Sequence, residues 1–116
     1  MKLQIIKRKY PKAFQTFIAK RKDIIYLSAD VRGYWKEITE FMDKQGLRIY
    51  ILNYGGFFKP IIIDRKDEKH RTVYVYKNEN MNTKSDSPFK KRNQAETLAI
   101  EKAFQILEER LQEGGK

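Results

Sequence analysis

From residue 30 onward the spacing of apolar residues changes period twice. Val31, Trp35, Ile38 and Met42, with Tyr34 and Phe41 beside them, recur at helical spacing and predict an amphipathic helix over 31–45. Asp30 stands where a short carboxylate accepts from the exposed N–H groups of a first turn. Gly46 stands where a left-handed residue ends a helix. Gly33, in the first turn, lowers the local helix propensity. Period two then takes over. RIYILNY (48–54), FFKPIIID (57–64) and TVYVYKN (72–78) are rich in β-branched and aromatic residues and predict three strands.

The punctuation between these runs sets the connections. Gly55-Gly56 is a two-residue hairpin signal. The charged stretch RKDEKHR (65–71) is the second turn. Pro60 lacks an N–H and predicts an edge or a bulge for the second strand. After the polar loop ENMNTKSDSP (79–88), Ala95, Ala99, Ile100, Ala103, Phe104, Leu107 and Leu111 form the stripe of a last helix. Asn93 with Glu96 has capping-box spacing, and Gly114-Gly115 closes the helix. The expected fold class is α+β: a three-stranded antiparallel meander with two helices on one face, in the order α-β-β-β-α, over residues 30–116.

Residues 1–29 read as a basic N-terminal extension carrying a short helix. Pro11 suits a first helical turn. Ala13, Phe14, Phe17 and Ile18 then share a face, and Lys20-Arg21-Lys22 suits a helix end, where cations meet the negative pole of the dipole. DIIYLS (23–28) fits a helix or a strand.

Alternation along the strands sorts their side chains into two faces. One set is aliphatic: Ile49, Ile51, Ile61, Ile63, Val73 and Val75. The other is Tyr50, Leu52, Tyr54, Phe58, Ile62, Tyr74 and Tyr76. The aliphatic set is the expected core beneath the helices. The tyrosine-rich set, chiefly Tyr50, Tyr54, Phe58, Tyr74 and Tyr76, is a candidate interaction face. Three covers suit it: the N-terminal helix through Phe14, Phe17 and Ile18, a second copy of the chain, or stacked single-stranded bases. Lys59 and Lys77 alternate onto the aliphatic side in this scheme and leave the tyrosines without a basic rim.

Composition narrows the function classes. A chain of 116 residues has the length of one domain. It has no cysteine, which excludes disulfides and thiolate metal sites. No run approaches the ~18 apolar residues of a membrane span, and MKLQIIKRKYPK lacks a secretory hydrophobic region. The expectation is a cytoplasmic protein without a membrane partner. The net charge of +10 favours an anionic partner. Residues 1–22 hold Lys2, Lys7, Arg8, Lys9, Lys12, Lys20, Arg21 and Lys22 and no acid, while the rest of the chain is nearly neutral.

The last helix carries a finer pattern. Lys90-Lys91-Arg92 precede Ala95, Ala99-Ile100, Ala103-Phe104 and Leu107. This resembles the second helix of the double-stranded RNA-binding domain, and with the element order the resemblance covers residues 30–112. It implies that domain's fold, and it implies that Lys90, Lys91 and Arg92 grip phosphates across an RNA groove. The chain departs from the family at Asn93 and Glu96, where lysines are expected. It departs again at the hairpin loop Asn53-Tyr54-Gly55-Gly56, which lacks Gly-Pro-x-His. The YWKEITEFMDKQGLRIYI stretch and the alanine-rich last helix also resemble small uncharacterised proteins of gut-bacterial phages and mobile elements, a likeness that brings no function with it.

No catalytic constellation stands out. His70 is alone in a charged turn, and Asp64, Asp67 and Glu68 sit together in that turn rather than on separate walls of a cleft. The expectation is a non-enzyme without metal or cofactor. Two functions stay open. One is a small nucleic-acid-binding accessory protein that contacts RNA or DNA phosphates through Lys7, Arg8, Lys9, Lys12, Lys20, Arg21, Lys22, Lys90, Lys91 and Arg92. The other is a protein-interaction or homodimerisation module that keeps the fold and lacks RNA binding.

Overall fold

The computed structural model describes residues 1–19, 21, 25–66, 72–75 and 91–114, with the backbone alone at positions 54 and 75. The fold is α+β. Helices α1 (Leu3–Lys9) and α2 (Pro11–Ala19) come first, then a 3-10 turn (Val31–Tyr34) leading into α3 (Trp35–Lys44). Strands β1 (Leu47–Tyr54), β2 (Phe57–Asp64) and β3 (Thr72–Val75) follow, and α4 (Arg92–Gly114) closes the order. Helix α1 is an addition to the expected elements.

Helix α1 forms because Leu3 and Ile6, one turn apart, both find the core and are fully buried. Lys7, Arg8 and Lys9 occupy its last turn, where the dipole favours them. It ends at Tyr10, whose backbone leaves the helical region (φ −130, ψ 65) because the following proline disfavours it there. Pro11 then starts α2. Asp30 caps as expected, its Oδ1 accepting the Arg32 backbone N–H at 2.9 Å, but the first turn it caps is 3-10 and the α-helix starts only at Trp35. Gly46, at φ +88, ends the helix.

Gly55 and Gly56 adopt φ +52 and +90, the two positive values that a tight hairpin turn requires. Tyr54 therefore pairs with Phe57, and the register runs through Ile51↔Pro60 and Ile49↔Ile62 to Leu47↔Asp64. This corrects the expected faces. Ile61 and Ile63 share a face with Tyr50 and Leu52, whereas Ile62 and Pro60 share one with Ile49 and Ile51. Each strand alternates as anticipated, but β2 sits one residue out of step, and a one-residue slip exchanges its two sides. The strand order also corrects the placing of β2, which is central. Pro60 pairs with Ile51 of β1, and the described β2–β3 pairing covers Ile61 to Ile63. The irregularity on the β3 side lies at Ile62/Ile63 instead.

The inner face of the sheet (Leu47, Ile49, Ile62 and Tyr74) packs on the core, and Val73 joins it beside the irregularity. Helix α3 lies against β1, and α4 against β1 and β2. Ala95, Ala99 and Ala103 are fully buried, and small residues at that spacing let α4 approach its neighbours closely. Helix α2 packs on α4. The Phe17 ring meets Phe41 of α3 at 5.2 Å and Phe104 of α4 at 6.0 Å, edge to face. Phe14 and Phe17 therefore cover helices, not the tyrosine face that the N-terminal helix was one candidate to shield. Leu3, Ile6, Phe14 and Phe17 belong to the same buried cluster as Ile38, Ile62 and Phe104. No helix of the described residues is long and apolar enough to cross a membrane.

Candidate nucleic-acid interface

The cations singled out in the sequence fall into three groups. Lys7, Arg8, Lys9 and Lys12 are exposed on α1 and at the start of α2, and Lys91 and Arg92 are exposed at the start of α4. Lys20, Lys22 and Lys90 lie outside the described residues. Arg21 differs from the rest. Its guanidinium lies 5.5 Å from the Phe17 ring centre and 5.8 Å from that of Tyr34, so it is stacked on aromatic faces.

The chain start is strapped to the segment before α3. The Leu3 and Gln4 N–H groups donate to the carbonyls of Ala29 and Leu27, both at 3.0 Å, and the Val31 N–H donates to the Met1 carbonyl at 2.9 Å. The backbones of Lys2 and Asp30 form an isolated antiparallel β-bridge, and the Met1 ammonium lies 3.2 Å from Asp30 Oδ2. The Arg32 backbone N–H, and then the Met1 ammonium, hold the Asp30 carboxyl below the usual aspartate value.

Arg32, two residues on, faces α4. Its Nε lies 3.7 Å from Glu96 Oε1, while Arg92 Nε lies 3.5 Å from Glu96 Oε2. Glu96, where the resembled family has a lysine, is thus neutralised between two arginines. Farther along α4, Lys9 Nζ donates to Glu101 Oε2 at 3.0 Å, and that bond raises the lysine above its ordinary value. Two turns beyond, the buried Glu108 accepts the Ala13 N–H. Helix α4 therefore acts as a rail. Its start carries Lys91 and Arg92, Glu96 brings in Arg32, and Glu101 brings in Lys9.

The expected capping box does not form. Helix α4 begins at Arg92, so Asn93 is already inside it, and Glu96 is engaged by the arginines. Asn93 Oδ1 is buried without a hydrogen-bond partner, while its carbonyl accepts the Thr97 hydroxyl at 2.9 Å. Arg32, Asn93, Gln94 and Thr97 line a shallow cleft of about 300 Å³.

The tyrosine-rich face is divided by the register. Tyr50 is exposed on the outer side of the sheet, whereas Tyr74 and Phe58 lie on the inner side. The Lys102 ammonium stands 5.8 Å from the Tyr74 ring centre. The Tyr54 side chain and Tyr76 lie outside the described residues, as do Lys77, Asp67, Glu68 and His70. Lys59 pairs with Leu52 and so shares the outer side with Tyr50, contrary to the expected arrangement. Asp64 serves structure. Its Oδ1 accepts the Lys66 N–H at 2.9 Å, and its Oδ2 accepts from Arg110 at 3.0 Å. Among the described residues no group of three or more His, Asp or Glu side chains could hold a metal ion.

Sequence reasoning missed Arg32, Glu101 and Glu108. For Glu108 a signal was present, since it continues the buried spacing of Phe104 and Leu107 and a carboxylate there demands a partner. For Arg32 only the topology brings it beside α4. No protein-family model, no curated protein and no solved structure matches this chain.

Proposed function

We propose that this chain is a small nucleic-acid-binding accessory protein that holds phosphates electrostatically, with little sequence specificity. One observation carries the reading: the linkage Met1–Asp30, Arg32–Glu96–Arg92 ties the cationic chain start to the cationic start of α4. Two clusters far apart in sequence thereby lie along one helix. Arg32 adds to them, and Glu96, the acid that would oppose a phosphate, is already compensated.

In this reading residues 1–29 add a second basic strip to an α-β-β-β-α domain (residues 30–116) of the double-stranded RNA-binding type. The order of α3, the three strands and α4 supports that likeness, as does the alanine stripe of α4. Lys7, Arg8, Lys12, Lys91 and Arg92 project from helix surfaces on long side chains. Such side chains reach phosphate oxygens and position a duplex without reading its bases.

The test is binding of duplex RNA, duplex DNA and single strands, followed by fluorescence anisotropy over a salt series. Affinity for duplex DNA falls with salt, with a log–log slope of about −0.9 for each phosphate neutralised. Replacing Arg32 and Arg92 by glutamine lowers that slope by about 2 and weakens all sequences alike. Absence of binding tighter than about 10 µM at low salt, in the range of non-specific association, overturns the reading.

A further inference from the structure

The arginine pair around Glu96 holds more positive charge than one acid balances. Arg32 Nε lies 3.7 Å from one Glu96 oxygen, and Arg92 Nε lies 3.5 Å from the other. Lys91, next to Arg92 in the chain, is exposed and has no ion pair among the described residues. Asp30, the other acid near Arg32, is matched by the Met1 ammonium at 3.2 Å. Three cations (Arg32, Lys91 and Arg92) therefore stand against one acid (Glu96), a surplus of two positive charges. The cations are also the accessible partners. The Arg32 and Arg92 side chains are 41% and 53% exposed, whereas that of Glu96 is 17% exposed. Both contacts run through Nε. Among the described residues no hydrogen bond or further ion pair engages either guanidinium, so the Nη groups of both are open.

Arg32 belongs to a second feature as well. It lines the cleft of about 300 Å³ together with Asn93, Gln94 and Thr97. That volume is at the low end for ligand sites, and three of the four walls are neutral side chains that form hydrogen bonds. Asn93 Oδ1 is buried there without a partner. An acceptor in that state costs free energy until a donor meets it. A sugar hydroxyl is such a donor, and the exposed Gln94 amide both donates and accepts.

Charge and oxygen count choose the ligand. A phosphodiester within a strand carries a single negative charge and two free oxygens. A phosphate monoester carries about −1.5 to −2 at neutral pH and three strong acceptor oxygens. The monoester matches the surplus, and it has an oxygen for each of two guanidinium forks and one ammonium. We propose that Arg32, Arg92 and Lys91 hold the phosphate monoester of a nucleotide, with its sugar in the cleft against Asn93 and Gln94. The exposed Lys7, Arg8 and Lys12 of α1 and α2 favour the end of a nucleic-acid strand as its source. The chain then prefers phosphorylated strand ends to the interior of a duplex. This inference rests on the nucleic-acid reading above and narrows its ligand.

The test uses three internally labelled duplexes of one sequence, with 5′-phosphate, 3′-phosphate or only hydroxyl ends. In fluorescence anisotropy at low salt, at least one phosphorylated duplex binds about tenfold tighter than the hydroxyl-ended one. The better of the two identifies the end. Arg32→Gln and Arg92→Gln each cut that ratio by about threefold or more. A ratio taken on one preparation is insensitive to loss of folded protein. Lys7→Gln weakens all three duplexes and keeps the ratio. Adenosine 5′-monophosphate displaces the phosphorylated duplex at lower concentration than inorganic phosphate does. Equal affinity for the three duplexes overturns the proposal and leaves the electrostatic reading standing. Absence of binding tighter than about 10 µM to any duplex overturns both. Inorganic phosphate as effective as adenosine 5′-monophosphate removes the cleft from the site and overturns the proposal. So does a phosphoserine peptide that displaces better than the nucleotide, which assigns the site to a protein partner.

Discussion

Glu108 Oε1 accepts the backbone N–H of Ala13 at 2.8 Å, so a carboxylate of the last helix caps the second. Ala13 is the third residue of α2, one of the positions whose N–H has no partner within its own helix. Glu108 is 5% exposed, and its other oxygen accepts from Gln112 at 3.1 Å. Removing the carboxylate leaves a buried donor unsatisfied, which costs about 1–3 kcal/mol. Glu108→Ala is expected to lower the urea midpoint accordingly. Glu108→Gln retains an acceptor oxygen and loses less than half as much. Equal losses in the two variants would assign the role to charge at the helix N-terminus rather than to the hydrogen bond.

Phe17 is the side chain through which three helices meet. It is 1% exposed and touches Phe14, Phe41 and Phe104. Phe17→Ala opens a cavity at that junction and costs about 3–5 kcal/mol. It also takes away one of the two rings beneath Arg21. Tyr26, exposed to 64%, is the matched control, and Tyr26→Ala changes stability by about 0.5 kcal/mol at most. Thermal melts of the two variants give the comparison.

Asp43 joins the end of α3 to the sheet. Its two oxygens each lie 2.8 Å from an Arg65 guanidinium nitrogen, and Oδ1 also accepts from Arg48 at 3.1 Å. The Arg65 bond first, and the Arg48 bond after it, hold this carboxyl below the usual aspartate value. Asp30 is depressed in the same direction. A depressed folded-state value means that the unfolded chain takes up protons first as pH falls. The stabilisation is therefore complete above about pH 5 and is lost progressively below about pH 4, the ordinary aspartate range. Because Asp43 is partly exposed, its share is that of a surface pair, about 0–1 kcal/mol. Asp43→Asn flattens the acid limb of a stability–pH curve, and an unchanged limb would assign the acid sensitivity elsewhere.

Two glycines separate conformation from space. Gly46 sits at φ +88, and a Cβ there would lie 2.6 Å from Lys66 Cγ. The lysine side chain can swing aside, but the backbone strain remains, so Gly46→Ala costs about 1 kcal/mol or more. Gly33 has no positive φ, and nothing lies within 4 Å of its would-be Cβ. Gly33→Ala is therefore neutral or stabilising by about 0.4–1 kcal/mol, because it restricts the unfolded chain. Denaturant midpoints of the pair test both signs.

Much of the fold was legible where a pattern was long and its ends were marked. The α3 period with Asp30 and Gly46 at its limits, the glycine hairpin and the α4 stripe all appear where the residues point. Helix α1 was hidden because two apolar residues among cations make too short a pattern, and burial by distant elements supplies its stability. The sheet faces were misread although the means to read them was present. A two-residue turn at Gly55-Gly56 makes Tyr54 face Phe57, which pairs odd positions of β1 with even positions of β2. That arithmetic puts Ile61 beside Tyr50 and brings Lys59 with it. The cationic edge was half legible. Its residue types were visible, but the meeting of Arg32 with Arg92 depends on tertiary packing that no local pattern encodes.

Helix α4 is buried against the sheet and against α2 at once, and this has a consequence for how the molecule opens. The N-terminal helices cannot lift away without stripping Phe17 from Phe104, and the sheet cannot separate without uncovering the same helix. The two halves therefore form one cooperative unit. Amides of α2 and of β2 are expected to exchange with solvent hydrogen through a common opening, with similar protection. The helix backbones that carry Lys9 and Arg92 are accordingly held by the same packing as the core.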